Sequence, residues 1–169
     1  KAYLPLREDL ARGAYAGYVV ELVDRFTAQD DLLPDGATAD AEDSIRFFTL
    51  LDDTFSRIAH DTDPRLAVRY FELRLLDAVG FRPELMQCVV EGEPITAQDQ
   101  FFSALDGGAV CPAHAVRCQS VVPISMQGLK LLRHMQRSTY DRVVGLDIPP
   151  PLHDEVERVM QGYVSHVLE

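Results

Sequence analysis

At 169 residues, 47% apolar and 25% charged, the chain is sized for one domain, or one domain with a small subdomain, around a proper core. Sixteen basic side chains against 27 acidic ones give a net charge of −11, which repels phosphate backbones at long range, so this segment is not expected to supply most of any contact with nucleic acid. Three cysteines do not make a disulfide scaffold, no run approaches the roughly 18 to 20 apolar residues of a membrane span, and REDLAR near the start argues against a signal peptide, so a cytosolic protein is expected.

Apolar residues at helical spacing predict five helices. The first covers about residues 7–30, with Leu10, Ala14, Tyr18, Leu22 and Phe26 as its stripe and Tyr15, Val19 and Val23 beside them. The linker DDLLPDGATAD breaks it. A second helix begins near Ala41 with Asp40 as N-cap and Phe48, Leu51, Phe55 and Ile58 as its buried face. Asp63 then caps a third helix, Pro64 suits its first position and Gly80 its end. This third helix is apolar nearly all round, through Leu66, Val68, Tyr70, Phe71, Leu73, Leu75, Leu76, Ala78 and Val79. Arg65, Arg69 and Glu72 form a narrow polar strip, a pattern that predicts the central element of a bundle.

Between residues 84 and 122 the helical period fades. Gly92, Pro94, Gly107, Gly108 and Pro112 punctuate stretches such as QFFSAL and GAVC, which suit brief strands or turns. A fourth helix is expected from Ser125 to Val144, with Leu129, Leu132 and Met135 facing the core, and a last one from Pro151 to Leu168 after IPPP. The expected fold is all-α: a helical bundle around a central buried helix, with a small irregular zinc-ribbon-like insertion. In residues, this reads as helical parts at 1–84 and 123–169 flanking an insertion at 85–122. The first residue is Lys1, so the chain is expected to be a piece of a longer one.

The insertion holds the chemistry. Cys88 and Glu91 keep the spacing of one C-x2-C metal knuckle, Cys111 and His114 in CPAH keep that of a second, and Cys118 follows four residues later. Cys88, Cys111, His114 and Cys118 make a four-ligand candidate for zinc, with Glu91 as an alternative ligand through oxygen. The competing reading is a thiol packed as a small hydrophobe, which suits Cys88 before Val89 and Val90. Cys111 and His114 have no orienting partner or oxyanion hole to make them a catalytic pair, and Gly107 and Gly108 lack the frame of a phosphate loop. No enzyme and no catalytic residue is read from this sequence. On the fourth helix Lys130, Arg133, His134 and Arg137 share one face, as a basic patch or as the outward side of an amphipathic helix.

The run RYFELRLLDAVGFRPELMQCVVEGEPI, followed by FFSALDGGAVCPAHA, resembles the C-terminal domain of the RecO family of bacterial recombination mediators. Phe71, Glu72, Leu73, Leu75, Leu76, Gly80, Pro83 and Leu85 carry the likeness first, and the two knuckles with the GG pair between them carry the rest. The resemblance implies zinc held by four knuckle positions, here Cys88, Glu91, Cys111 and His114, two of which depart from cysteine. It further implies an OB-fold domain upstream that binds single-stranded DNA, and a basic tail beyond. The implied role is non-enzymatic repair in the RecF pathway, in the bacterial cytoplasm at the nucleoid. With RecR, such a protein displaces single-stranded-DNA-binding protein (SSB) so that RecA can load, and it anneals complementary strands. The acidic SSB tail needs an apolar pocket edged by cations. The resemblance points to Arg69, just ahead of the FEL motif, with Arg65 one turn earlier; as the edge of a helix, the same two would pair with Glu72 or Asp63. The rival to this whole reading is a helical protein-interaction module with a structural metal or thiol-packed loop and no nucleic-acid role.

Overall fold

The computed structural model describes residues 3–28 and 41–169; the expected linker at 30–40, with its Asp40 cap, lies outside the described residues. The described helices are α1 (Leu4–Glu8), α2 (Leu10–Ala28), α3 (Ala41–His60), α4 (Pro64–Ala78), α5 (Met126–Arg137), α6 (Tyr140–Val143) and α7 (Pro150–Val167). Three strands lie between α4 and α5: β1 (Gln100–Ser103), β2 (Gly108–Val110) and β3 (Val122–Ile124). The chain forms two compact units, one ending at Phe71 and the other starting at Glu72, so the division falls inside α4.

In the first unit the single helix expected at 7–30 is two. Asp9 is extended (φ −105°, ψ 112°), and its carboxylate accepts from the N–H groups of Ala11 at 2.9 Å and Arg12 at 3.1 Å. A residue that caps the next helix cannot also continue the last one. Arg12 then donates to the carbonyls of Ile58 at 2.6 Å and Asp61 at 2.9 Å, and the Tyr3 hydroxyl bonds Asp52. These contacts gather α1 and α2 on the C-terminal half of α3. Val19, Leu22, Phe26 and Ile58 are buried as expected, whereas Leu10 is 91% and Phe48 72% exposed.

Both ends of α4 follow the sequence reading. Asp63 accepts from the Arg65 N–H at 3.0 Å, and Pro64 takes the first position. At the other end Gly80 adopts φ 85°; Phe81 N–H reaches the Leu76 carbonyl at 2.7 Å and Gly80 N–H that of Asp77 at 3.2 Å, the paired bonds of a glycine C-cap. Most of the polar strip is buried. Arg69 and Glu72 are as buried as the leucines around them, and Arg65 alone keeps substantial exposure.

In the second unit the insertion carries a small antiparallel sheet of order β2-β1-β3, with Phe101 opposite Val110 on one side and Pro123 on the other. β1 and β2 fall on QFFSAL and GAVC, where the sequence suits brief strands or turns, so the chain is mostly helical as expected while the insertion is more regular than expected and the fold not wholly α. Strands of three or four residues are too short to show an alternating pattern. The β1–β2 turn is closed by Gly107 (φ 81°) and by Ser103 donating to Asp106 at 2.6 Å.

Helix α5 is held by charge at both ends, in the sense its dipole favours. At its start Ser125 caps Gly128, Asp99 accepts from the Met126 N–H, and Glu155 of α7 accepts from the Ser125 N–H and hydroxyl. At its end Arg74 donates to the carbonyls of Gln136 at 3.1 Å, Met135 at 3.2 Å and Ser138 at 2.6 Å. The helix therefore stops at Arg137, not at 144 as its apolar pattern suggested; Ser138 and Thr139 are extended and α6 begins anew. Leu129, Leu132 and Met135 are buried as expected.

Candidate metal centre

Two backbone turns build the centre. The first is a tight hairpin, with Gln87 bridging Pro94, Cys88 N–H on the Glu93 carbonyl at 2.8 Å and Gly92 N–H on the Cys88 carbonyl at 2.7 Å. The second begins where β2 ends: the Cys111 carbonyl accepts from His114 N–H at 3.0 Å and Ala115 N–H at 3.1 Å. Main-chain bonds dock the two, through Ala109 N–H on the Glu84 carbonyl at 2.8 Å and Val89 N–H on the Ala109 carbonyl at 3.0 Å. Below them Cys88, Val110 and Ala115 form an apolar floor, with Val89, Ile95, Phe101 and Val121 against it.

Cys88, Cys111 and His114, 23 and 26 residues from the first cysteine, arrive with their donor atoms within 4.8 Å of one another. His114 turns Nδ1 towards both thiols, 2.9 Å from Cys111 Sγ and 3.5 Å from Cys88 Sγ. The donor set of two sulfurs and one imidazole nitrogen suits zinc. With Zn–S and Zn–N bonds of about 2.3 and 2.0 Å, tetrahedral ligands stand roughly 3.5 Å apart, so the Cys111 contact need open by only about 0.6 Å. Burial pushes the Cys88 thiol up, but backbone N–H groups of Cys111, Glu91 and Val90, aided by His114, outweigh it and set its pKa at about 7. A thiol that ionises near neutrality is ready to ligate.

The two remaining candidates stand aside from this trio. Cys118 Sγ lies 3.9 Å from the His114 carbonyl, and burial together with the neighbouring Asp106 pushes its thiol up. Glu91 Oε1 faces the other ring nitrogen, 3.7 Å from His114 Nε2, and is gripped by Arg117. The sequence reading missed Arg117, although it falls inside CPAHAVRC three residues after His114.

The cationic candidates divide by exposure. Arg69 is 3% exposed, while Arg65 is part-exposed and holds Asp63 at 3.3 Å. On α5, Lys130 and Arg137 are exposed. Arg133 is half-buried and donates Nε to the Leu85 carbonyl at 2.7 Å; burial and nearby Arg137 pull its pKa down, against Glu84. His134 sits 3.1 Å from the Arg142 carbonyl through Nε2 and 3.2 Å from the Ser138 hydroxyl through Nδ1. The four residues expected to form one patch thus supply two outward charges and two structural contacts.

The family description "Recombination protein O C terminal" matches residues 7–169. The chain belongs to the RecO family. A DNA repair protein RecO of Roseiflexus sp. (strain RS-1) is 35% identical over 164 residues, covering 97% of this chain and 54% of that protein. One from Dehalococcoides mccartyi (strain ATCC BAA-2266 / KCTC 15142 / 195) is 29% identical over 169 residues, all of this chain and 62% of the relative. A third, from Bacillus pumilus (strain SAFR-032), is 29% identical over 159 residues, 94% of this chain and 57% of the relative. The chain thus spans somewhat more than half the length of these relatives. No helix among the described residues is long and apolar enough to cross a membrane.

Proposed function

We propose that this chain is the helical domain of a non-enzymatic recombination mediator of the RecF pathway, acting in the bacterial cytoplasm at the nucleoid. The observation that carries the reading is the RecO family match over residues 7–169. Its task is to receive protein partners, the SSB tail and RecR, while RecA is loaded on single-stranded DNA and complementary strands anneal. The charge of −11 supports leaving most DNA contact to an OB-fold domain of the whole protein. The burial of α4 from Leu66 to Leu73 and again at Leu75 and Leu76 supports reading it as a buried helix, with the insertion at 85–122 following it in the chain. Zinc held by Cys88, Cys111 and His114, with Cys118 as the remaining thiol for a fourth position, fixes that insertion; the shared orientation of His114 Nδ1 towards both thiols supports this over mere thiol packing.

For the SSB tail, Arg65 is the arginine that solvent reaches, and Arg69 lies beneath it in α4 as a buried support. Titration of a labelled SSB-tail peptide into the chain tests the role. Arg65→Glu should weaken binding at least about tenfold, roughly 1.4 kcal/mol, because it turns a cation against an acidic peptide. Rising salt should weaken the wild type as well. Should the peptide bind equally well after Arg65→Glu but fail after Lys130→Glu with Arg137→Glu, the receptor lies on α5; if it ignores both, the domain does not receive the tail.

A further inference from the structure

We propose that Glu91, although it occupies a ligand position of the first knuckle, is the residue that orients His114 on the metal and is not itself a ligand. The inference rests on the metal reading above and concerns what the fourth knuckle residue does. The imidazole spans the site: Nδ1 faces the two thiols at 2.9 and 3.5 Å, and Nε2 faces Glu91 Oε1 at 3.7 Å. The carboxylate therefore meets the ring on the side away from the sulfurs, and the three donors that gather within 4.8 Å of one another do not include it.

A neutral imidazole that gives the lone pair of Nδ1 to a metal must carry its proton on Nε2. The carboxylate oxygen within reach of that nitrogen is Glu91 Oε1 at 3.7 Å, and in the metal-bound form the two close to a hydrogen bond. Arg117 restrains the same oxygen, since its guanidinium pairs with Glu91 Oε1. Arg117, Glu91 and His114 thus form a relay that fixes the tautomer and the plane of the ring, as outer carboxylates do for ligating histidines elsewhere.

The test uses the whole chain with zinc or cobalt(II) as probe. Glu91→Ala should weaken zinc binding by about 10- to 100-fold, the usual effect of losing an outer-shell partner. Its cobalt(II) charge-transfer and ligand-field bands should keep their wild-type positions, because no ligand is lost. Arg117→Met, at a side chain 61% exposed, should weaken zinc binding in the same direction without disturbing the fold. Long-range nitrogen NMR of the zinc-loaded wild type should show His114 metallated at Nδ1 and protonated at Nε2. Shifted cobalt bands in Glu91→Ala, a metal on Nε2, or unchanged zinc affinity would each overturn the proposal. A wild-type chain that takes up no zinc or cobalt overturns the metal reading itself, an outcome distinct from a metal-binding chain indifferent to Glu91.

Discussion

Arg74→Ala is expected to lower the unfolding free energy by about 2–4 kcal/mol, on the scale of charge-assisted hydrogen bonds lost together with the solvation of their acceptors. The guanidinium donates to three carbonyls at and just beyond the end of α5, at Met135, Gln136 and Ser138. Alanine leaves these acceptors without the charge that faces them, and the helix dipole loses its compensating cation. The damage should spread, because Gln136 holds the Pro83 carbonyl at 3.0 Å and Arg133 holds that of Leu85. Both anchors depend on where the last turn of α5 sits, and both secure the chain that leads into the first knuckle. Arg74→Lys should recover only part of the loss, since an ammonium cannot present a fork to three separate oxygens. Urea denaturation of the variants measures this directly; a loss below about 0.5 kcal/mol, the size of an ordinary surface substitution, would show that α5 ends where it does for another reason.

Gly108→Ala is the second large effect. A Cβ there would run into the carbonyl oxygen of Glu84 and stand 2.8 Å from Val89 Cγ1. Overpacking typically costs about 1–3 kcal/mol, and a backbone atom that cannot turn aside places this case at the upper end or beyond. The obstructed contact is also the one that docks the two halves of the metal centre, so the substitution should part Cys88 from Cys111 as well as destabilise. Gly162→Ala supplies the contrast. A Cβ at this exposed position of α7 meets nothing within 4 Å, and alanine should stabilise the helix by roughly 0.5–1 kcal/mol. Thermal unfolding of the pair, with zinc affinity measured alongside, should move in opposite directions; a tolerant Gly108→Ala would mean that the hairpin is not held at that point.

The same two residues mark what could and could not be read from the chain. Gly80, Asp63 and Pro64 announce their roles because caps act through local backbone geometry, and the structure places them as expected. Gly107 and Gly108 stood out as a motif, yet their reasons differ: one adopts a positive φ, and the other is pressed by a carbonyl 24 residues away in the chain. Arg74 looked like any charged position on an apolar helix, and nothing in its neighbours reveals that it ends α5. The break at Ser138 carries no glycine or proline for the same reason, since a long-range cation stabilises it. Asp9 was a missed local signal, an aspartate ahead of a helical run. At the metal centre, spacing brought out Cys88, Cys111 and His114 together with Glu91 and Cys118; that Glu91 faces His114 Nε2 depends on ring orientation and on Arg117, neither of which has a spacing signature.

The most direct measurement is the metal content of the chain purified without chelators, read by elemental analysis beside its thermal stability. One zinc per chain is expected in the wild type and none in Cys111→Ser, with the variant melting at a lower temperature because metal binding to the folded state no longer adds to its stability. A wild type free of metal, matched in melting temperature by Cys111→Ser, would contradict the account and leave Cys88, Cys111 and His114 as packed side chains.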